Sequence, residues 1–440
     1  MSAERDNESL ARQLLERAQA HGAEQAETGI QAASGLTAAV RLGEVDTLEY
    51  HRDKGATVTA FIGGAKGSAT TTDFSEAAIE ATAEKACALA RRTSPDPANG
   101  LADADKLATE IPDLDLDHPA EIEPDEAIER ARTCEAAARD VDGRITNSEG
   151  GEFEWGRGSM VYANTHGFLG GYTGTRFGVS AAVVASDDAG MQRDFWFSTG
   201  RDLADLEAAD SVGRRAGERT VRRLGARRLA TARVPVLYEA PVAASLLGHL
   251  VSAVRGTSLY RGSSFLVNAA GEQVLNAGLT VREEPHRPKG LGSAPFDAEG
   301  VATRERNLVD DGVLTGYCLD SYSARKLGMT TTGHAGGVHN LYLEAGATSP
   351  EALLREMGTG LLVTELIGFG VNNVTGDYSR GAAGFWVENG EIAYPVEEIT
   401  IAGNLKTMFR DIAAVGSDLE LRSNIASPSV LIGEMTVAGQ

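Results

Sequence analysis

The sequence predicts an α+β fold with two helix–sheet–helix N-terminal subdomains, whose sheets are antiparallel, followed by a β-rich C-terminal domain. Three observations lead to this prediction. Helical periodicity flanks each of two groups of short β-type runs, a turn-rich acidic stretch separates the groups, and strand-like patterns dominate the last part of the chain. A chain of 440 residues is long enough for several hydrophobic cores. We therefore expect domains at residues 1–110, 111–230 and 231–440.

The first subdomain is predicted from its two helices and the short runs between them. Apolar residues at helical spacing predict a helix over residues 8–20, and β-type runs punctuated by glycines and charged turns follow between residues 26 and 61. A second helix is predicted to open at Asp73, with Glu76 three residues later as its capping-box partner, and to end near residue 90.

The second subdomain repeats this plan after an acidic segment. Residues 113–126 hold seven carboxylates and no Lys or Arg, so we interpret the segment as a solvated, extended linker. A helix is then predicted over residues 125–140, four or five strands between residues 144 and 197, and a closing helix from residue 202 to about 224. The repetition suggests two related α+β subdomains.

The C-terminal domain opens with a strand at residues 234–238 and a helix that begins at Pro241, a favoured first helical position, and ends near residue 254. Further strand patterns follow, with one more helix from Pro350 and a last strand over residues 429–437.

The most informative pattern of this domain is TGDYSRGAAGFWVENGEIAYPVEEITIAGNL, residues 375–405. Its Asn-Gly dipeptide between two strand-like runs predicts a β-hairpin. Just before the hairpin, Asp377, Tyr378 and Arg380 stand between two glycines. They are expected on a loop, which either lines a site or forms a tight turn whose polar side chains cap local backbone groups.

The charge of the chain argues against nucleic acid as its main partner. The sequence has 63 Asp and Glu against 41 Lys and Arg, a formal net charge of −22, which repels phosphate backbones. One arginine-rich stretch, residues 214–228, is open to a nucleic-acid or membrane interpretation. We favour pairing with the chain's own carboxylates, because no aromatic residues are interleaved with these arginines.

The cysteines and the apolar runs indicate a cytoplasmic protein with no membrane partner. Cys87, Cys134 and Cys318 lie far apart without C-x-x-C spacing, so neither a disulfide framework nor a thiolate zinc site is indicated. Cys87 and Cys134, in Ala-rich helical stretches, are expected to be buried thiols. The first residues lack the basic and apolar regions of a signal peptide, and no run of 18 apolar residues occurs.

The usual catalytic motifs are absent, including the G-x-S-x-G elbow, the phosphate-binding loop and H-E-x-x-H. His334 and His339 are the only close histidine pair, and two histidines without a third ligand make a weak metal site, so we favour hydrogen-bonded loop histidines. Glu283 and Glu284 point to opposite faces if they lie on a strand, and we interpret both as solvated charges.

The hairpin pattern, with GGVHNLYL before it and RSNIASPSVLIGEMTVAG after it, resembles the PmbA/TldD metalloprotease family, once called modulators of DNA gyrase. The resemblance is to its PmbA branch, also called TldE, and covers essentially the whole chain. In that family, the TldD branch looks like a zinc peptidase that uses an H-E-x-x-x-H helix and a cysteine near the C-terminus.

This chain departs from the zinc pattern at every expected position. Setting SLLGHLVSAVRG against H-E-x-x-x-H puts Gly248 at the first His, His249 at the Glu and Ala253 at the second His. No cysteine follows Cys318. The resemblance therefore implies a chain with no catalytic residue and no metal of its own.

The resemblance also implies partners. A PmbA-type chain is expected to pair with a TldD-type zinc subunit in a heterodimeric protease that cleaves unfolded peptides inside a closed cavity, and a homodimer is possible when the chain is alone. The zinc is expected in the partner. The candidate peptide-cleft or interface residues are His339, Asn340, Asp377, Tyr378 and Arg380.

Two other functions stay open. The chain is an autonomous zinc metallopeptidase if His249, His334 and His339 converge on an unrecognised site. Alternatively, it is a gyrase-binding regulatory protein, as the old family name suggests, with its acidic surface acting as a mimic of DNA.

Overall fold

The structure is a computed structural model that describes the backbone of residues 2–439 and the side chains of residues 6–439. Its N-terminal half combines four helices with six long strands, within the described residues. The helices are α1 Ser2–Ala20, α2 Glu76–Ala90, α3 Pro124–Arg139 and α4 Ala209–Val221. The strands are β1 Gln25–Arg41, β2 Glu44–Ile62, β3 Ala65–Thr71, β4 Ile145–Asn164, β5 Leu169–Asp187 and β6 Gly190–Gly200.

The six strands form one antiparallel sheet, in the order β3-β2-β1-β4-β5-β6, so the two N-terminal units share a sheet through β1 and β4. The short runs predicted from the sequence are parts of long strands. The glycines in these strands led to this error, because Gly35 suggests a turn in the sequence. In the structure Gly35 lies within β1, and a Cβ at this position would lie only 2.6 Å from the carbonyl oxygen of Trp155 on β4. The glycine allows close approach within a continuous strand.

All four helices cover the same face of this sheet. Ile30 on β1 packs in the core beneath α1 and α2, and Leu36 and Val40 on the same strand pack in the core beneath α3 and α4. The opposite face meets the C-terminal domain, where Phe168 packs edge-to-face against Phe296 at 5.0 Å between ring centroids. The sheet therefore lies between a helical layer and the C-terminal domain.

Two local predictions need correction. Helix α2 is capped by Ser75, whose side chain accepts from the amide of Ala78, and not by Asp73, which instead accepts from the amide of Ser75. The acidic segment is extended but is not fully solvated, since it buries Leu114 and Leu116 against the sheet. The domain boundaries near residues 110 and 230 stay predictions.

The arginines of α4 and of the residues just after it pair with carboxylates, as favoured from the sequence. Arg219 lies 3.4 Å from Asp194 and 3.0 Å from Glu239, and Arg223 lies 2.5 Å from Glu365. These arginines are largely buried and stabilise the contact between the N-terminal half and the C-terminal domain.

The C-terminal domain contains two sheets and five helices, within the described residues. The helices are α5 Ala240–Val254, α6 Gly256–Tyr260, α7 Ser321–Leu327, α8 Pro350–Met357 and α9 Leu405–Arg410. The strands are β7 Ala232–Tyr238, β8 Val281–Glu283, β9 Arg306–Asp310, β10 Val313–Leu314, β11 Leu341–Leu343, β12 Gly360–Ile367, β13 Asp377–Glu388, β14 Glu391–Asn404, β15 Ile412–Val415, β16 Ile425–Ala426 and β17 Val430–Ala438.

The first of these sheets has the order β10-β9-β8-β11-β16, and the second has the order β14-β13-β12-β7-β17-β15. An additional β14–β17 pairing joins five strands of the second sheet into a closed ring. Helix α5 contacts β12 in the second sheet and β16 in the first, so it lies between the two sheets. The α+β class with antiparallel N-terminal strands and a β-rich C-terminal domain is confirmed.

The predicted hairpin is present as β13 and β14. Asn389 and Gly390 form its turn with φ of 54° and 78°, the left-handed conformations that a two-residue hairpin loop requires. The expected loop at residues 377–380 is wrong, because these residues already belong to β13 and pair with β14. No helix among the described residues has both the length and the apolar character needed to span a bilayer.

Candidate functional site: two histidine regions of the C-terminal domain

Helix α5 carries the positions at which the resemblance places a zinc motif. The helix begins at Ala240 with Pro241 in its first turn and packs Leu246 and Leu250 into the domain core. Its neighbour β16 belongs to the RSNIASPSV segment, where the resemblance would place a cysteine. The helix and the segment to which the resemblance points are therefore neighbours in the fold.

The three motif positions offer no zinc ligand set. A Cβ at Gly248 would meet nothing within 4 Å, so this position is open. Ala253 is fully buried in the core, and its carbonyl accepts a hydrogen bond from Ser264 at 2.5 Å. An imidazole at Ala253 would overpack the core. The residues around α5 therefore do not fit zinc.

His249 lies in an apolar and cationic environment. Its ring stands edge-on to that of Tyr378, with 5.9 Å between centroids, and its Nε2 is buried with no hydrogen-bond partner among the described residues. Burial lowers the pKa of His249, and the positive charge of Arg380 lowers it further. The imidazole is therefore neutral at neutral pH.

Two of the candidate hairpin residues lie beside His249. Tyr378 is buried and accepts a hydrogen bond from the hydroxyl of Tyr238 at 3.4 Å, and burial raises the pKa of Tyr378. Arg380 has a buried Nε that lacks a hydrogen-bond partner within the described part of the chain. Asp377 instead forms local hydrogen bonds, and its carboxylate accepts from the hydroxyl of Thr375 at 2.6 Å.

A second, separate region gathers Glu283, His334 and His339. Their ligand atoms lie within 4.8 Å of one another, and His334 Nε2 is 2.9 Å from Glu283 Oε2. His249 is not part of this group. A carboxylate and two imidazoles are donor types that can hold a metal ion.

Arg306 occupies the centre of this second region. Its Nε donates to Glu283 Oε2 at 2.9 Å, and its other nitrogens donate to the carbonyl of Tyr317 at 2.9 Å and to the sulfur of Cys318 at 3.1 Å. Burial raises the pKa of Cys318 to about 11, so the sulfur is a thiol. Because the guanidinium already neutralises the carboxylate, we interpret the arrangement primarily as a buried ion-pair network.

Glu283 is held as a carboxylate inside this network. Burial raises its pKa, but hydrogen bonds from His334 and His339 and the charge of Arg306 outweigh burial and bring the pKa well below its usual range. The expectation that Glu283 is solvated is wrong, because β8 is flanked by β9 and β11 and its side chain faces the interior. Val281 on the same strand is also buried, and residues two apart on a strand share a face. Extending the predicted strand from Val281 to Glu283 would therefore have placed Glu283 on the buried face.

Asn340, a predicted cleft residue, joins the junction between His339 and β11 to the loop at Gly292 and Ser293. It is buried with φ of 46°, its amide nitrogen donates to Ser293 at 2.7 Å, and its oxygen accepts from the amide of Gly292 at 2.8 Å. His339 donates its backbone amide to Glu283 at 2.7 Å. The structure therefore places Tyr378 and Arg380 beside His249, which we call the first region. It places His339 and Asn340 with Glu283 and His334 in the second region.

A buried carboxylate, Asp297, and a partly buried one, Glu299, lie near the second region. Burial raises the pKa of Asp297 to about 6, although Asp297 accepts amide hydrogen bonds from Ala335 and Val301. Burial also raises the pKa of Glu299 to about 7, with the charge of Asp297 acting in the same direction. Sequence reasoning missed both, since only the tertiary packing removes them from water.

Comparison with known proteins matches three successive parts of the chain to one protein family. Family models described as PmbA/TldA metallopeptidase domain 1, central domain and C-terminal domain match residues 26–90, 117–224 and 231–439. The metalloprotease PmbA of Escherichia coli O157:H7 is 51% identical over 94% of this chain and 92% of its own length. A PmbA homologue of Haemophilus influenzae is 45% identical over the same shares.

Solved structures agree with this similarity. A protein from Bacteroides thetaiotaomicron, described as a candidate modulator of DNA gyrase, superposes with a TM-score of 0.94 at 28% identity over 99% of both chains. TldE from Thermococcus kodakarensis superposes with a TM-score of 0.86 at 21% identity, covering 98% of this chain and 100% of its own, and this likeness concerns the fold alone.

Proposed function

Since the chain belongs to the PmbA/TldD metallopeptidase family, we propose that it is the metal-free subunit of a two-chain zinc peptidase. Its partner is a TldD-type subunit that holds the zinc and cleaves unfolded peptides. This chain supplies a wall of the peptide cleft and part of the contact between the subunits.

The observation that carries the proposal is the state of helix α5. Gly248 and Ala253 offer no ligand atom, and the core around Ala253 leaves no room for one. A helix that keeps its place between two sheets without metal ligands is consistent with a subunit whose role is to shape a cavity rather than to catalyse.

The side chains around His249 are suited to holding a peptide. His249 Nε2 and Arg380 Nε are buried without hydrogen-bond partners among the described residues, and an unpartnered buried polar group is costly. A peptide carbonyl or carboxylate in this region would satisfy Arg380, whose charge strengthens such a bond. We include Tyr378 and, more peripherally, Asp377 in the same wall or interface. His339 and Asn340, which lie in the separate region around Glu283, stay candidates for another part of the cleft or interface.

The decisive test is reconstitution. The purified chain should contain no stoichiometric zinc and cleave no peptide, and cleavage of an unfolded peptide should appear when a TldD-type subunit is added. Arg380→Ala should weaken peptide capture or partner binding by about tenfold without altering metal content. Arg233→Ala, a matched change at an exposed surface pair with Glu434, should leave both unchanged. Stoichiometric zinc in the wild-type chain would refute the proposal.

A second candidate function, an autonomous zinc peptidase, is favoured by the grouping of Glu283, His334 and His339. The ion pair with Arg306 weighs against it, because the oxygen that would bind the metal already accepts from a guanidinium. If this function is correct, His334→Ala should remove both zinc and hydrolysis from the isolated chain.

Gyrase regulation is a third candidate, supported by the descriptions of two structural neighbours as candidate modulators of gyrase. A supercoiling assay with purified gyrase, with and without this chain, tests it directly. We propose a cytoplasmic location, because Cys87, Cys134 and Cys318 are all unpaired, as is usual in a reducing compartment.

A further inference from the structure

The face of the N-terminal sheet that turns away from the helices contains a floor of small residues. Ala33 and Gly35 of β1 pair with Gly158 and Gly156 of β4, and Gly158 pairs with Gly174 of β5. These positions face away from the helices, because the even-numbered residues of β1 pack beneath them. Within the described structure, a Cβ at Gly156 or Gly158 would meet nothing closer than a carbonyl oxygen of β1, at 3.7 and 4.0 Å. The floor leaves a cavity of 440 Å³, which we call the arginine cavity after its borders.

Two arginines border this cavity, and neither has a carboxylate partner. Arg176 of β5 pairs with Gly156, is exposed, and forms no ion pair within the described residues. Arg201 follows β6 and reaches back over the floor, where a Cβ at Gly174 would lie 2.9 Å from its Nη1. Its nitrogens donate at 3.1, 3.4 and 2.9 Å to three neutral backbone carbonyls, those of Thr175, Gly290 and Leu291.

The nearby carboxylates are directed elsewhere. Asp202, which follows the second arginine, accepts from Lys289 Nζ at 2.9 Å. Glu154 faces the same way as Arg176, but its carboxylate lies over Gly178, where a Cβ would be 2.9 Å from Oε1. Gly178 is two residues beyond Arg176 on β5. The charges of the two arginines are therefore not neutralised by a carboxylate in the described part of the chain.

The two guanidinium charges also repel each other. Burial lowers the pKa of Arg201, and the positive charge of Arg176 acts in the same direction. Arginine nevertheless stays protonated in proteins, so both charges persist. Asp53 of β2, on the same face, is exposed and lies outside the lining of the cavity. Two like charges without a counter-charge cost free energy, and a bound anion offsets this cost.

Polar and aromatic groups complete the walls of the arginine cavity. The ring of His51 on β2 lies over Gly35, where a Cβ would be 2.7 Å from its Nε2. Gln31 of β1 and Tyr172 of β5 line one end. Tyr172 is fixed there by an edge-to-face contact with Phe296 of the C-terminal domain, with 5.7 Å between ring centroids. The cavity thus combines hydrogen-bonding groups with an aromatic surface, as ligand sites commonly do.

We propose that the arginine cavity binds the C-terminal carboxylate of a peptide through Arg176 and Arg201. A planar guanidinium donates two parallel hydrogen bonds to a carboxylate, which gives both affinity and orientation. The volume is that of a small-ligand site, so it suits the end of a chain rather than a folded segment. The inference rests on the peptide-binding part of the proposed function and names the end of the substrate that the N-terminal sheet recognises.

Two versions of one unfolded, fluorescently labelled peptide isolate this contact, one with a free C-terminal carboxylate and one with a C-terminal amide. In fluorescence anisotropy with the full-length chain, the free acid should bind about tenfold more tightly than the amide. Arg176→Gln should bring this ratio close to one and leave the affinity for the amide unchanged, and Arg201→Gln should do the same. Arg176 is exposed, so its replacement does not endanger folding.

Three controls locate the contact. Arg12→Gln removes the same charge at an exposed position of α1 and should preserve the ratio. Arg380→Ala should also preserve it, because the region around His249 is assigned to another part of the peptide. Succinate, a free dicarboxylate, should displace the peptide acid only at concentrations well above those of the unlabelled peptide acid.

Several results would overturn the inference. They are equal binding of the acid and the amide, no binding of the acid, an acid preference that survives Arg176→Gln or disappears in Arg380→Ala, and succinate that competes as well as the peptide acid. Zinc and hydrolysis do not enter this measurement. An acid preference that depends on Arg176, together with a failed reconstitution of peptidase activity, would therefore refute the role as a peptidase subunit and support the carboxylate site.

Discussion

His249 and His334 lie in the same domain, but their surroundings are opposite in kind. His249 has an aromatic neighbour, a cation and no carboxylate in hydrogen-bond contact, and its Nε2 is unpartnered among the described residues. His334 donates its Nε2–H to a buried carboxylate that also pairs with Arg306. The first region lies at the helix to which the resemblance assigns a zinc motif, and in the second region the ligand-type residues bind one another.

The difference teaches that residue type alone does not define a metal site. Burial of charge stabilises a folded chain only when every charge is paired, and the second region meets this condition without a metal. The first region leaves His249 Nε2 and Arg380 Nε without partners among the described residues, and a bound ligand is one way to satisfy such atoms. The changes below test this contrast, from the largest expected effect to the smallest.

The largest effect is expected for Glu283→Gln. The amide cannot neutralise Arg306, so the free energy of unfolding should fall by about 3–5 kcal/mol in urea denaturation. Glu284→Gln, on the partly exposed neighbour, is the control and should cost less than about 1 kcal/mol. If a chelator destabilises the wild-type chain and not Glu283→Gln, the region is a metal site and the contrast fails.

A smaller loss is expected for Ala253→His on α5. The imidazole overpacks a fully buried position, which should cost about 1–3 kcal/mol in thermal or urea unfolding. Gly248→His, in open space, should be tolerated. Combining both with His249→Glu restores the letters of H-E-x-x-x-H. Stoichiometric zinc in that triple variant would show that the core at Ala253 adapts to a ligand.

A pH-dependent effect is expected for Glu299→Gln. The folded pKa of Glu299 is raised to about 7, above the usual value, so its stabilising contribution is complete below the unfolded pKa and is lost as the pH rises through about 7. The substitution should therefore stabilise the chain more at pH 8 than at pH 5, by about 1–2 kcal/mol. Glu344→Gln, at an exposed position, should show no such trend.

The smallest effect is expected for His249→Leu. Its Nε2 has no hydrogen bond to lose within the described structure, so the free energy of unfolding should change by less than about 1 kcal/mol. Peptide capture by the reconstituted pair should nevertheless weaken. A large loss of stability would mean that His249 is a structural residue like His334.

Local patterns determined much of the fold. The Asn-Gly dipeptide placed the hairpin turn, because two left-handed residues are needed there, and helical periodicity placed α3 and α5 within one or two residues of their ends. The absence of zinc ligands at Gly248 and Ala253 was also visible in the sequence. These features depend on residues that are neighbours along the chain.

The tertiary structure alone decided which distant residues meet. Glu283 joins Arg306 and His334 from separate segments, Tyr378 is buried although glycines surround it, and one sheet unites strands that were predicted as two. Strand pairing and burial depend on contacts between residues far apart in the sequence, and periodicity carries no information about them. The sequence therefore identified the helix that does not carry the H-E-x-x-x-H motif, and the structure revealed the separate ion-pair network.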